Sequence, residues 1–177
     1  MKRKNYRQFL AVIIVFGLLI TSCNNSSEKT AAKSINKEPI KQKVMENEKL
    51  INFGKKYAAA WCSQNPDSVA AYFSSTGTLS VNANAPAVGR AAIAEVAEGF
   101  MTAFPDIIVS MDSLIIQPDA TAFHWTLTGT NTGQGGTGNK VKISGVELWQ
   151  FDADGLIHDS KGSFDAEEYN RQLGVKK

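Results

Sequence analysis

The chain has 177 residues, 43% of them hydrophobic, with nineteen Lys and Arg against seventeen Asp and Glu. Four of the bases fall within the first seven residues, and from Leu50 onward nine basic residues stand against thirteen acidic ones. A net-acidic body without a basic stripe excludes nucleic acid as the expected partner and leaves no polybasic surface for a membrane.

The N-terminus reads as an export signal. MKRKNYRQ carries Lys2, Arg3, Lys4 and Arg7 with no acid, and the apolar run FLAVIIVFGLLI follows, short for a permanent span. Small residues then lead into Cys23, and Ile20-Thr21-Ser22-Cys23 resembles the lipobox of bacterial lipoproteins. The expectation is a leader over residues 1–22, a lipid on Cys23 and attachment to a membrane of the bacterial envelope, with the domain outside the cytoplasm. Acylated Cys23 would leave Cys62 with no intrachain disulfide partner. Residues 23–43, rich in Asn, Ser, Lys and Glu, read as a flexible tether. Residues 44–177 are then a single domain.

Within that domain, Leu50, Phe53, Tyr57, Ala60 and Trp61 recur at three- and four-residue spacing, predicting a helix from Val44 to Cys62. Asn65-Pro66-Asp67 breaks it, and Asp67 is expected to cap a second helix running through Phe73 to a turn at Ser74-Ser75-Thr76-Gly77. TLSVNA reads as a short strand. A third helix opens at Gly89-Arg90, carries Ile93, Val96, Phe100, Met101 and Phe104 on one face, and stops at Pro105. Four alternating segments follow, IIVSMDSLIIQ, TAFHWTLTGTN, KVKISGVELWQFD and LIHDSKGSF, all read as strands. Helices first and an antiparallel meander last predict an α+β fold with helices on one face of a curved sheet.

GQGGTG, Gly133 to Gly138, matches the spacing of a dinucleotide-binding turn. That motif needs a strand before it and a helix after it. Here strands stand on both sides, so the run is expected to be a hairpin tip whose glycines supply positive φ.

The order of elements, together with GRAAIAEVAEGFMTAFPDI, AFHWTLTGTNTG, KISGVELWQFDADGLI and FDAEEYNRQLG, resembles the SnoaL-like polyketide cyclase (ester cyclase) family of the nuclear transport factor 2-like superfamily. The resemblance covers about Phe53 to Gly174. It implies a cone closed around a long helix, a mostly apolar pocket for a small apolar molecule, and homodimers through the sheet's outer face. It also implies chemistry without cofactor or metal. Trp61, Phe73, Trp125, Trp149 and Phe164 are the aromatic residues assigned to the pocket wall, which a drug-sized ligand would need to enclose roughly 300–1,000 Å³.

Three residues are candidates for acid–base work. Alternation in SGVELWQF places Glu147 on the face of Trp149 and Phe151, where burial without a cation would raise its pKa. By resemblance to the ketosteroid isomerases, which the handling of buried carboxylic acids makes a standard comparison, Glu147 takes the position of their protonated acid and Tyr57 that of their tyrosine, stabilising an oxyanion. Their catalytic base falls near Val81, which cannot take a proton. Asp165, in Phe164-Asp165 ahead of Gln172-Leu173-Gly174, matches the cyclases' acid/base, and it also reads as the cap of the helix that follows, with Glu168 completing a capping box. Where the family often carries a bulky or acidic group this chain has Ser160-Lys161-Gly162. Cys62 reads as a small buried hydrophobe. His124 and His158 lack metal-site spacing, and no metal is expected. The competing reading is a non-catalytic dimeric interaction module of the envelope with its pocket filled by side chains.

Overall fold

A computed structural model describes residues 37–175, with side chains from Glu46 onward. The leader and Cys23 lie outside the described residues, as does most of the tether. Helix α1 spans Lys37–Trp61, so it opens seven residues ahead of the expected Val44. A three- to four-residue apolar period marks the face a helix buries, and its polar first turns carry no such mark. Tyr57, Ala58, Ala60 and Trp61 are the buried residues at its C-terminal end.

The break falls where expected, but the cap is Asn65. Its side chain accepts from the Asp67 backbone N–H with Pro66 in the first turn, and α2 spans only Pro66–Ala70. The expected continuation to Phe73 and the Ser74–Gly77 turn do not form. Phe73–Val81 is strand β1, paired in parallel with β6 (Ile157–Phe164) through an irregular register between Phe73 and Thr78. A Cβ on Gly77 would lie 2.8 Å from the Ile157 carbonyl oxygen, so the turn-like composition serves a close crossing of two backbones.

Strand β2 (Ala87–Val88) leads into α3 (Gly89–Ala103), which buries Ile93, Ala97 and Met101 and ends before Pro105. Strands β3 (Ile108–Ile116), β4 (Thr121–Thr130) and β5 (Lys140–Phe151) then form an antiparallel meander with β6, and α4 (Ala166–Leu173) closes the chain. The curved six-stranded sheet runs β2-β1-β6-β5-β4-β3, parallel only at β1–β6. Its inner face holds Phe123, Leu127, Ile143, Trp149 and Ile157, on which Tyr57, Phe104 and Met101 pack from the helices. This is the α+β cone the element order predicts.

The glycine run joins β4 to β5 without a helix. Gly135 and Gly138 take φ of 77° and 74°. Asn131 accepts from the Thr137 N–H and donates to the Ala103 carbonyl, fixing the loop against the end of α3. The loop is a hairpin tip, as its flanks predict.

Candidate functional site

The site is built on β5. Gly145, Glu147 and Trp149 alternate onto the inner face, and Leu148 points outward, 40% exposed. Glu147 sits opposite Phe123 of β4 and Gly162 of β6. Its carboxyl is buried, 7% exposed, and takes three hydrogen bonds on one oxygen. Tyr57 Oη donates to Glu147 Oε2 at 3.1 Å, Trp149 Nε1 at 2.9 Å and Ser160 Oγ at 2.8 Å. None of the three ends on Oε1.

Among the described residues neither ion pair includes Glu147; they are Lys161–Asp159 and Arg171–Glu168. Burial raises the Glu147 pKa above its ordinary value, and the bonds from Trp149, Ser160 and Tyr57 only partly offset it. Burial, then the neighbouring Glu147 charge, pushes the Tyr57 phenol well above its usual range, so it remains a proton donor. The Trp61 ring meets Tyr57 edge-on, with centroids 6.3 Å apart. Tyr57 thus fixes the carboxyl from the helix side.

Beside Glu147 lies a cavity of about 50 Å³. Its wall comes from β1 (Val81), α3 (Phe100), β6 (Gly162, Phe164) and β4 (Trp125), with Trp61 from α1. A single water needs about 10–15 Å³ by the same kind of measure, so the space suits about four water-sized units. The space beside Glu147 is therefore smaller than the drug-sized pocket anticipated from sequence. Val81, where the isomerases have their base, is a hydrocarbon wall, and a Cβ on Gly162 would lie 3.5 Å from Glu147 Cγ. The missing side chain at Gly162 leaves room directly against the carboxyl.

The other expected site residues separate clearly. Trp61, Trp125 and Phe164 line the cavity with Glu147, whereas Phe73 and Trp149 do not. Both are fully buried. Phe73 packs on Tyr57, and Trp149 stacks on Phe123 with ring centroids 4.5 Å apart. Tyr57 is also fully buried and its hydroxyl is spent on Glu147, so it positions the carboxyl and cannot meet a developing oxyanion in the cavity. Asp165 is exposed, and its Oδ1 accepts from the Glu168 N–H as the N-cap of α4. Glu168 bonds Arg171 and Gln172, which holds its carboxyl near a pKa of about 2. Asp165 is a cap, outside the cavity.

Cys62 is half-buried, its Sγ between the Ala58 and Val109 backbones. His124 faces outward opposite Val146. Among the described residues no group of three or more His, Cys, Asp or Glu could hold a metal. Sequence reasoning missed Ser160, although the two-residue period that places Gly162 and Phe164 inward also places Ser160 there.

A cone of sheet and helices enclosing a buried carboxyl beside a compact, mostly aromatic cavity is the nuclear transport factor 2-like fold. The family model for SnoaL-like polyketide cyclases matches residues 53–173, and the chain belongs to that family. Solved structures agree on the fold. A protein with a ketosteroid isomerase-like fold from Catenulispora acidiphila DSM 44928, in complex with trimethylamine, is 18% identical with a TM-score of 0.61 over 68% of this chain and 91% of its own. A protein from Jannaschia sp. CCS1 described as a SnoaL-like polyketide cyclase is 14% identical, TM-score 0.62, over 75% and 94%. A phenazine biosynthesis-related protein from Pseudomonas aeruginosa is 15% identical, TM-score 0.57, over 73% and 92%. Comparison with curated protein sequences gives no match.

Proposed function

We propose that this domain binds a small, largely apolar molecule against Glu147 and that Glu147 moves a proton to or from it, in cofactor-free chemistry of the cyclase or isomerase type. The observation that carries the reading is the one-sided bonding of Glu147. Three donors hold Oε2 and leave Oε1 of a cavity-lining residue to exchange a proton. Burial that raises a carboxyl's pKa above its ordinary range suits it to exchanging a proton.

Native mass spectrometry of the protein from a bacterial host, wild type against Glu147→Gln and Gly162→Leu, tests the binding. A co-purifying small molecule lost in both variants supports the reading. Retention of the same molecule by both would place it elsewhere and refute it.

We further propose that the chain is an envelope lipoprotein with residues 1–22 as leader and Cys23 as the lipid-bearing residue, its membrane contact resting on the lipid. Among the described residues no helix is long and apolar enough to cross a membrane. Labelling with a palmitate analogue in a bacterial host, abolished by Cys23→Ala, is the expected result. A second observation favours self-association. Ile115, Ala122 and Leu148 align across β3, β4 and β5 on the outer face, with Ile115 49% and Leu148 40% exposed. That row supports a homodimer, and it is also the surface on which a purely structural interaction module would rely.

A further inference from the structure

The Glu147 carboxyl is built as one half of an ion pair. Tyr57, Trp149 and Ser160 all donate to Oε2. A carboxyl oxygen has about two lone-pair sites, so three donors on one oxygen favour the ionised form. Yet among the described residues no ion pair includes Glu147, and a buried carboxylate without a cation is costly. Its other oxygen stays accessible. Among the described residues, the side-chain oxygens and nitrogens that are both buried and without a partner are Ser74 Oγ and Trp125 Nε1. Glu147 Oε1 takes no bond and is not one of them, and the space that Glu147 lines is the cavity.

The rest of that wall suits a cation with a hydrocarbon coat. Aromatic rings meet there from two sides: Trp61 and Phe100 from the helices, centroids 5.9 Å apart, and Trp125 and Phe164 from the strands, 6.1 Å apart. Trp125 offers its ring and not its N–H, which is buried without a partner. An aromatic ring attracts an ammonium group within about 6 Å of its centroid, and it also packs on alkyl groups. An aliphatic wall would do only the second. In a space for about four water-sized units, an occupant meets several of these rings at once.

We propose that the cavity takes a compact tertiary amine, held as its ammonium ion with the single N–H on Glu147 Oε1 and the alkyl groups against Trp61, Phe100, Trp125 and Phe164. The number of N–H groups follows from the wall. Glu147 is the one lining residue whose side chain accepts a hydrogen bond, so a primary ammonium ion would bring two further N–H groups with no side-chain partner. The inference rests on the reading of a small occupant held against Glu147 and names its class. An amine entering as the free base takes the Glu147 proton: the O–H bond breaks, its electron pair stays on Oε1, and the nitrogen lone pair forms the N–H bond. An amine entering as its ammonium ion meets the carboxylate directly. By either route carboxylate and ammonium end in contact, and no other reactant takes part.

Three probes of equal size separate charge from shape: trimethylamine, isopropylamine and 2-propanol. The first is the smallest tertiary amine, the second a primary amine and the third neutral. Each is titrated at pH 8 into the full chain from a bacterial host, with calorimetric detection. Trimethylamine is expected to bind at least about tenfold more tightly than either of the others. Glu147→Gln weakens it more than about a hundredfold, and Phe100→Leu, which keeps an apolar wall without the ring, weakens it about fivefold and leaves 2-propanol unchanged. Phe100→Leu carries the test should Glu147→Gln fail to fold. Binding of 2-propanol as tight as that of trimethylamine overturns the amine and leaves the wider reading of a small occupant at Glu147 standing. Isopropylamine binding as tightly as trimethylamine overturns the single N–H, and unchanged trimethylamine affinity in either variant overturns the seat. A wild type that binds no trimethylamine overturns the inference outright; a small molecule that co-purifies with it and is lost in Glu147→Gln would still support the wider reading.

Discussion

Tyr57→Phe isolates a single atom of the buried network. The ring stays, with its edge contacts to Phe123 and Trp149 at 5.6 and 5.1 Å, while the 3.1 Å bond to Glu147 Oε2 disappears. A net hydrogen bond is worth about 1 kcal/mol and one to a charged group about 1.5–3 kcal/mol. Trp149 and Ser160 still hold Oε2, which limits the loss. The expected destabilisation is about 2 kcal/mol, which for a domain of this size lowers Tm by about 8 °C. Because the Tyr57 bond also lowers the Glu147 pKa, its removal raises that pKa further, and the loss is larger at pH 8 than at pH 5. Calorimetric melts of wild type and variant at both pH values measure this. A Tm within about 2 °C of wild type at pH 8 would refute the bonding of Glu147 described above.

Other perturbations have different signatures. The raised Glu147 pKa means the folded state binds more protons than the unfolded state between the ordinary carboxylate value and the folded one, so stability falls as pH rises through that window and is then level. Glu147→Gln removes that slope, and denaturant melts from pH 4 to 9 should show the two curves diverging through the window and running parallel above it. Asp165→Ala should cost about 1 kcal/mol as a lost N-cap, Asp165→Asn almost nothing, and neither should alter ligand binding; a binding defect in Asp165→Asn would restore it as a site residue. Gly145→Ala, forced against both the indole and a carbonyl oxygen, should cost at least about 2 kcal/mol, measured by urea unfolding. Gly162→Ala, whose Cβ meets its nearest neighbour at 3.1 Å, should cost under about 1 kcal/mol and mainly shrink the cavity, as xenon or small-ketone binding would report.

Periodicity and punctuation made most of this fold legible. Helix α1 carries its apolar stripe, Pro105 follows the end of α3, and the alternation of β5 puts Glu147 inside. The stretch from Val69 to Gly77 was misread because Ser-Ser-Thr-Gly has the composition of a turn, whereas its place in the sheet is decided by β6, which arrives about eighty residues later. Local chemistry carries no trace of so distant a partner. The site divided along the same line. A buried acid on an aromatic face could be read from one strand, but the spending of Tyr57 on that acid, the exclusion of Trp149 from the cavity and the orphaned Trp125 N–H depend on which elements meet. Asp165 and Glu168 were legible as helix-start chemistry, and that plainer reading is the one the fold uses for Asp165.

The parallel pairing of β1 with β6, pinned by Thr78 donating to Asp159 81 positions away, also sets a timetable for the chain. Until β6 is made, β1 has an open edge toward the middle of the sheet, Glu147 lacks Ser160, and the cavity has no floor at Gly162. Contacts this distant close late, because the intervening loop must be ordered before they return any stability. A ribosome-bound or partly threaded chain therefore cannot finish its cone early. It stays open until β6 has been delivered.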